Sequence, residues 1–156
     1  MVSTPKMPEF PDDLPTVALF RLAYNVLSIR IFDAVVSGGY GDLRPAHGNV
    51  MEQFGREDGL RLTDLASGAG MTAQSMSELV DDLERKGYVE RRPDPSDRRA
   101  KRIYLTEKGK HNVSVAAQAV ADTEASIIEA LGQEGYEEVR RLIQAVIARE
   151  SRSHNA

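Results

Sequence analysis

The chain contains no cysteine, so it cannot build a disulfide framework, a thiolate nucleophile or a thiol redox switch. It has no apolar run of about 18 residues, and no membrane-spanning helix is expected. Its opening residues, MVSTPKMPEFPDDLP, lack the charged-then-apolar order of a secretion signal, so a cytoplasmic location is the expectation. There is no Gly-x-Ser-x-Gly nucleophile elbow and no glycine loop of the phosphate-binding kinds. The three histidines, His47, His111 and His154, are not paired at metal-ligand spacing. No catalytic residue, metal site or cofactor is therefore expected within one chain; a metal shared across two copies stays open as the weaker reading.

What is present suits one ordinary domain. The 156 residues are 41% hydrophobic and 28% charged, enough for a real core. The net charge of −4 argues against a polyanionic partner only if charge is spread evenly, and it is not. Residues 84–110 hold ten Lys or Arg against five acids, half of all the basic residues of the chain. That segment carries a net +5 and the remainder −9, an acidic body with one basic strip.

Apolar periodicity divides the chain into helices. Residues 1–13, with three prolines, read as an irregular arm. Val17, Phe20, Tyr24, Leu27, Ile31 and Val35 recur at spacings of three and four, predicting a helix from Leu14 to about Val36, with Pro15 in its first turn and Gly38-Gly39 as the stop. Leu19, Leu22 and Val26 lie off the main stripe, and a helix apolar on several sides usually packs beyond its own domain. An ordinary core helix with a frayed end is the alternative. A second helix is expected over Pro45–Phe54, and a short third from Leu62 to Ser67-Gly68. A tight turn at Gly68-Ala69-Gly70 precedes a fourth helix, N-capped by Thr72 and ended by Gly87. Tyr88–Arg91 and Lys101–Leu105 read as a hairpin around a turn at Pro93-Asp94-Pro95-Ser96-Asp97. Thr106 opens a further helix that Gly132 and Gly135 interrupt, and a last helix frays over Ser151–Ala156.

Helix, tight glycine turn, helix and basic hairpin make the plan of a winged helix-turn-helix, whose second helix offers its N-terminal half to the DNA major groove. Thr72, Gln74, Ser75 and Ser77 face away from the apolar stripe of Met76, Leu79, Val80 and Leu83. Gln pairs with adenine, and hydroxyls serve bases or phosphates. The plain alternative is a solvated face with a capping Thr72. Glu78 either accepts from a cytosine amino group or points aside, while Asp81 and Asp82 lie where basic neighbours can pair with them. Arg98 and Arg99 on a constrained tip suit a narrow minor groove, where the negative potential is strongest; an ordinary solvated charge pair is the bland reading.

Over about residues 60–110 the chain resembles the MarR (multiple-antibiotic-resistance regulator) family. The stretch LTDLASGAGMTAQSMSELVDDLERKGYVERRPDPSDRRAKRIYLTEKG carries the resemblance, and DPSDRRAKRIYLTEKG is its most telling part. The resemblance implies a mainly α fold with a small β-hairpin wing: a winged helix-turn-helix lobe (about 44–110) between N- and C-terminal dimerisation helices (14–38 and 111–152), all in one domain of residues 1–156. It implies a homodimer that binds a pseudo-palindromic operator in double-stranded DNA, usually as a repressor, and often lets go when a small aromatic effector binds. By position, Thr72, Gln74, Ser75 and Ser77 match the recognition helix. Asp97 and Arg99 match the wing's aspartate–x–arginine pattern, with Arg98 and Lys101 beside them as further DNA contacts. The family's effector pocket points to Tyr24, Ser28, Arg44, His47 and Met51. Arg44 stands where many relatives have a capping Ser or Thr, so the second helix lacks that cap. A winged helix that binds protein rather than DNA is the alternative function, and a small enzyme under the dimer helices has no constellation to support it.

Overall fold

The computed structural model describes residues 13–55 and 59–153. All but the last residue of the expected arm, and His154, lie outside them. Helix α1 (Thr16–Ser37) is followed by α2 (Pro45–Met51), a single 3-10 turn at Glu52–Gly55, strand β1 (Leu60–Arg61), α3 (Leu62–Gly68), α4 (Ala73–Arg85), strands β2 (Val89–Asp94) and β3 (Asp97–Leu105), and α5 (Glu107–Ser153). The architecture is a mainly helical winged helix-turn-helix with long helices before and after the lobe. None of the described helices is long and apolar enough to cross a membrane.

The lobe closes around one apolar cluster. Leu65 from α3, Met76, Val80 and Leu83 from α4, Val50 from α2, Tyr88 just before β2, and Val89 and Ile103 from the sheet are all 2% exposed or less. Burying each large apolar side chain is worth about 1.5–3 kcal/mol, so α4 is fixed by its inner stripe while its outer face stays bare. Between α3 and α4 the chain reverses at Gly70, whose φ of +62° is a conformation that side chains resist. Met71 donates its N–H to the Ala66 carbonyl at 2.8 Å to close that turn.

The wing differs from the expected hairpin in two ways. It is a three-stranded antiparallel sheet in the order β1-β3-β2, because Leu60 and Arg61, just before α3, pair with Ile103 and Arg102. The ladder also runs almost to the tip: Asp94 pairs with Asp97, leaving only Pro95-Ser96 as the loop. The expected five-residue turn at Pro93–Asp97 is thus a two-residue loop, and Arg98 and Arg99, expected at its tip, stand on β3. The cause is Asp94, whose carboxylate accepts the Ser96 N–H (2.9 Å) and hydroxyl (2.7 Å) and tightens the corner.

The helical frame brings smaller corrections. Pro15 caps α1 from outside rather than sitting in its first turn, and α2 gives way to the 3-10 turn after Met51. Thr106 accepts the Gly109 N–H and caps α5. Gly109 has a reason to be there: a Cβ would lie 2.1 Å from the Tyr88 carbonyl oxygen, where β2 begins. Within α5 only Gly132 leaves helical geometry (φ 71°, ψ 165°); Gly135 is helical, and the helix continues through Ser153 rather than fraying from Ser151.

Asp94 is the wing's fastening. It is 2% exposed and bonds Arg61 (2.7 Å) and Arg102 (3.1 Å) as well as Ser96. Ser96's hydroxyl and N–H, then the two guanidinium groups, hold the Asp94 carboxyl far below the ordinary carboxylate range. A carboxylate with a depressed folded value stabilises the fold fully above its unfolded value near 4 and loses that contribution as pH falls toward the lower one. Asp94→Asn is expected to lower the melting temperature at pH 7, with the gap to the parent protein narrowing below about pH 4. A melting series from pH 7 to pH 2.5 checks this, and a gap independent of pH would contradict the assignment.

Candidate nucleic-acid interface and effector cavity

The outer face of α4 is polar and largely exposed. Thr72 takes an extended conformation (φ −71°, ψ 151°), and its Oγ1 accepts the Ser75 N–H at 3.2 Å. Its hydroxyl also donates to Ser75 Oγ at 3.0 Å, which ties the two side chains together. Thr72, Gln74 and Ser75 are exposed and Ser77 is half-buried. Glu78, four residues after Gln74, shares its exposed face.

The other acids of α4 are occupied. Asp81 pairs with Arg91 at 2.7 Å. Asp82 receives Arg44 (3.0 Å), His47 (3.0 Å), Arg85 (2.8 Å) and Lys86 (2.7 Å). Those donors, Lys86 foremost, hold its carboxyl far below the usual range.

The same pairing sorts the basic strip. Arg85 and Lys86 bond Asp82, Arg91 bonds Asp81 and Glu84, and Arg92 bonds Glu90 and lies over the Tyr104 ring at 4.7 Å. Arg102 is held by Asp94, Lys108 by Asp42, and Lys110 by Glu107. Arg99 and Lys101 are exposed and make no ion pair among the described residues. Arg98 lies between them and Asp97 on β3, its side chain outside the described parts. Asp97 Oδ1 accepts the Arg99 N–H at 2.9 Å and so braces the tip. Strand alternation puts Arg99 and Lys101 on the face of β3 that carries Ile103 into the helical core. They extend that face past the lobe, on the side where α4 packs.

The five residues expected at an effector pocket do meet. Tyr24 and Ser28 of α1, Arg44 just before α2, and His47 and Met51 of α2 line one cavity of about 640 Å³. Ile31, Phe32 and Val35 of α1 and Asn112, Val113 and Ala116 of α5 complete the walls. The volume suits a small organic ligand.

His47 has a second role, as a fully buried clasp. Its Nδ1 accepts the Arg44 N–H at 2.9 Å, so the helix whose N-cap position lacks a side-chain acceptor is capped from inside. That places the proton of the neutral ring on Nε2, which donates to Asp82. Burial, then the Lys86 and Arg44 charges, push the His47 ring below its ordinary value.

His111 is hydrogen-bonded to the Tyr40 hydroxyl, and the described residues hold no cluster of three or more metal-ligating groups. Asp94, Arg61, Arg102 and Asn112 were not among the expected site residues. The Asp-Pro-Ser turn hinted at Asp94, but the other three carried no local signal.

With this geometry in place, comparison with known proteins is direct. The sequence profile of the MarR family matches residues 42–100. A crystal structure of MarR superposes with a TM-score of 0.77 at 18% identity, covering 95% of this chain and 99% of that one. The transcriptional repressor CouR, bound to a 23-mer DNA duplex, gives 0.72 at 25% identity, covering 90% of this chain and 99% of that one. A transcriptional regulator from Thermotoga maritima gives 0.62 at 22% identity, covering 91% of this chain and 98% of that one. The profile match is confined to the winged lobe, and the chain as a whole shares its fold with the crystal structure of MarR.

His47 generates a prediction. A depressed histidine binds its proton more readily when unfolded, so stability is present above the unfolded value near 6.5 and falls as pH drops through it. His47→Leu is expected to cost about 1–2 kcal/mol at pH 7.5 through the lost cap. It is also expected to flatten the loss of stability between pH 7.5 and 5. Urea unfolding at several pH values measures both, and an unchanged pH slope would remove the histidine from the clasp.

Proposed function

We propose that the chain is a DNA-binding transcriptional regulator of the MarR type. It acts as a homodimer on a pseudo-palindromic operator, represses, and releases DNA when a small aromatic ligand occupies the cavity. The carrying observation is the sorting of charge: among the described residues the basic strip is neutralised by internal pairs except toward the wing tip at Arg99 and Lys101, beside a capped helix with a bare polar face. Thr72, Gln74, Ser75 and Ser77 serve as the major-groove contacts; Arg98, Arg99 and Lys101 serve as the wing contacts, with Asp97 holding the tip. The DNA-bound CouR structure, of similar fold along nearly its whole length, supports the same docking.

Dimerisation through residues 14–38 and 111–152 is supported by apolar surface that one chain leaves uncovered. Val17 is 75% exposed, Val26 62% and Ile147 59%. Leu19, Leu22 and Val26 of α1 and Val139 and Ile143 of α5 also line a groove of about 720 Å³. Two lobes must sit roughly 34–36 Å apart to read successive turns of one duplex face. Helix α1, 22 residues and about 33 Å long, is a spacer of that size.

Fluorescence anisotropy on an inverted repeat from the DNA flanking the gene, across a salt series, tests the proposal. Binding is expected to fall steeply with salt, and Arg99→Ala is expected to weaken it and reduce the log–log slope by about 0.9 per lost phosphate contact. Failure to retain any fragment at low salt would overturn the proposal in favour of a protein-binding winged helix. Gln74→Ala is expected to alter base preference at one operator position by about 1–3 kcal/mol. A selection from randomised duplexes reads this out, and an unaltered profile would contradict the role of Gln74.

A further inference from the structure

We infer that the side-chain amide of Asn112 is the polar anchor of the cavity, and that the ligand is an apolar ring system bearing a hydrogen-bond-accepting oxygen, as in a ketone or a carboxylate. The inference rests on the effector reading given above and adds the group that recognises the ligand. Asn112 is 2% exposed, and its Nδ2 is the one buried side-chain nitrogen or oxygen without a partner among the described residues. The other buried polar side chains are satisfied: Asp94 by Arg61, Arg102 and Ser96, His47 by Arg44 and Asp82, and Thr123 by the Ala119 carbonyl. Buried donors are nearly always paired, because an unmade bond leaves the desolvation cost uncompensated. This exception belongs to a residue in the cavity wall.

An amide NH2 donates and does not accept, so it selects an acceptor oxygen over an amine or a bare hydrocarbon. Phe32, Val35, Met51 and Val113 supply the apolar surroundings. Arg44 and Glu52 both line the cavity, one charge of each sign, so net charge does not choose the ligand. Position matters as much as chemistry. Asn112 lies in the first turns of α5, soon after β3 ends at Leu105, where the lobe joins the frame. The facing walls come from α1 and α2. A ligand held by Asn112 while packed on α2 therefore spans frame and lobe. It favours whichever lobe angle fits it, by its differential affinity alone.

The chain has no tryptophan, so naphthalene fluorescence can be followed with little background. Three probes of similar size are titrated into the full chain: 2-acetonaphthone, 2-naphthoate and 2-ethylnaphthalene. At least one oxygen-bearing probe is expected to bind about tenfold more tightly than the hydrocarbon. Asn112→Leu is expected to erase that preference, to leave 2-ethylnaphthalene unchanged, and to raise the melting temperature of the free protein, since the unpaired donor is gone. Asn112→Ala provides the same affinity comparison if the leucine variant does not fold. Equal affinity for all three probes, binding of none, or a preference that survives both substitutions would overturn the inference. Operator anisotropy on the same samples keeps the two readings apart. DNA binding that persists alongside any of those outcomes leaves the regulator standing without this anchor; probe selectivity without DNA binding does the reverse.

Discussion

The Asp82 carboxylate joins the two halves of the lobe that matter. It sits near the end of α4 and gathers Arg44 and His47 from the start of α2 together with Arg85 and Lys86 from its own helix. Such a cluster neutralises an acid that would otherwise repel a phosphate backbone. It also makes α2 and α4 one body. His47 can be buried only because both ring nitrogens are used, one by the Arg44 N–H and one by Asp82. Arg44 and His47 at the same time line the cavity. A ligand bound there would touch the residues that hold α4, without any longer chain of contacts.

The wing solves a different problem with a similar device. A two-residue corner at the tip of the sheet would be floppy without an anchor, and Asp94 provides one, buried under Arg61, Arg102 and Ser96. Because Arg61 comes from β1, the anchor also ties the wing to the chain just before α3. Internal acids consume most of the strip's cations, and among the described residues Arg99 and Lys101, toward the tip of β3, make no ion pair. Where a protein keeps its arginines unpaired says more about a polyanionic partner than how many it has, so a net charge of −4 does not argue against one.

Much of the lobe was legible because its signals are local. The stripe of Met76, Leu79, Val80 and Leu83, the Thr72 cap and the Gly70 turn each follow from neighbours within four residues. The wing was half legible: alternation marked its strands, but the short β1 and the tight tip depend on Arg61 and Arg102 reaching Asp94 from 33 and 8 residues away. No periodicity encodes such a contact. Gly132 and Gly135 look alike in sequence, yet only the first leaves helical geometry within α5, and nothing local to either glycine marks the difference. The cavity residues were reached through family resemblance, and they do converge. Asn112 had no signal at all, since an unpaired amide is visible only when every possible partner has been placed.

The proposed regulation requires α4 and the wing to be the surface that meets duplex DNA. Hydrogen–deuterium exchange of the full chain, with and without a duplex carrying the inverted repeat, tests that most directly. Slowed exchange concentrated at residues 72–78 and 95–101 is the predicted result. Protection confined to other surfaces, or none at saturating duplex, would contradict it.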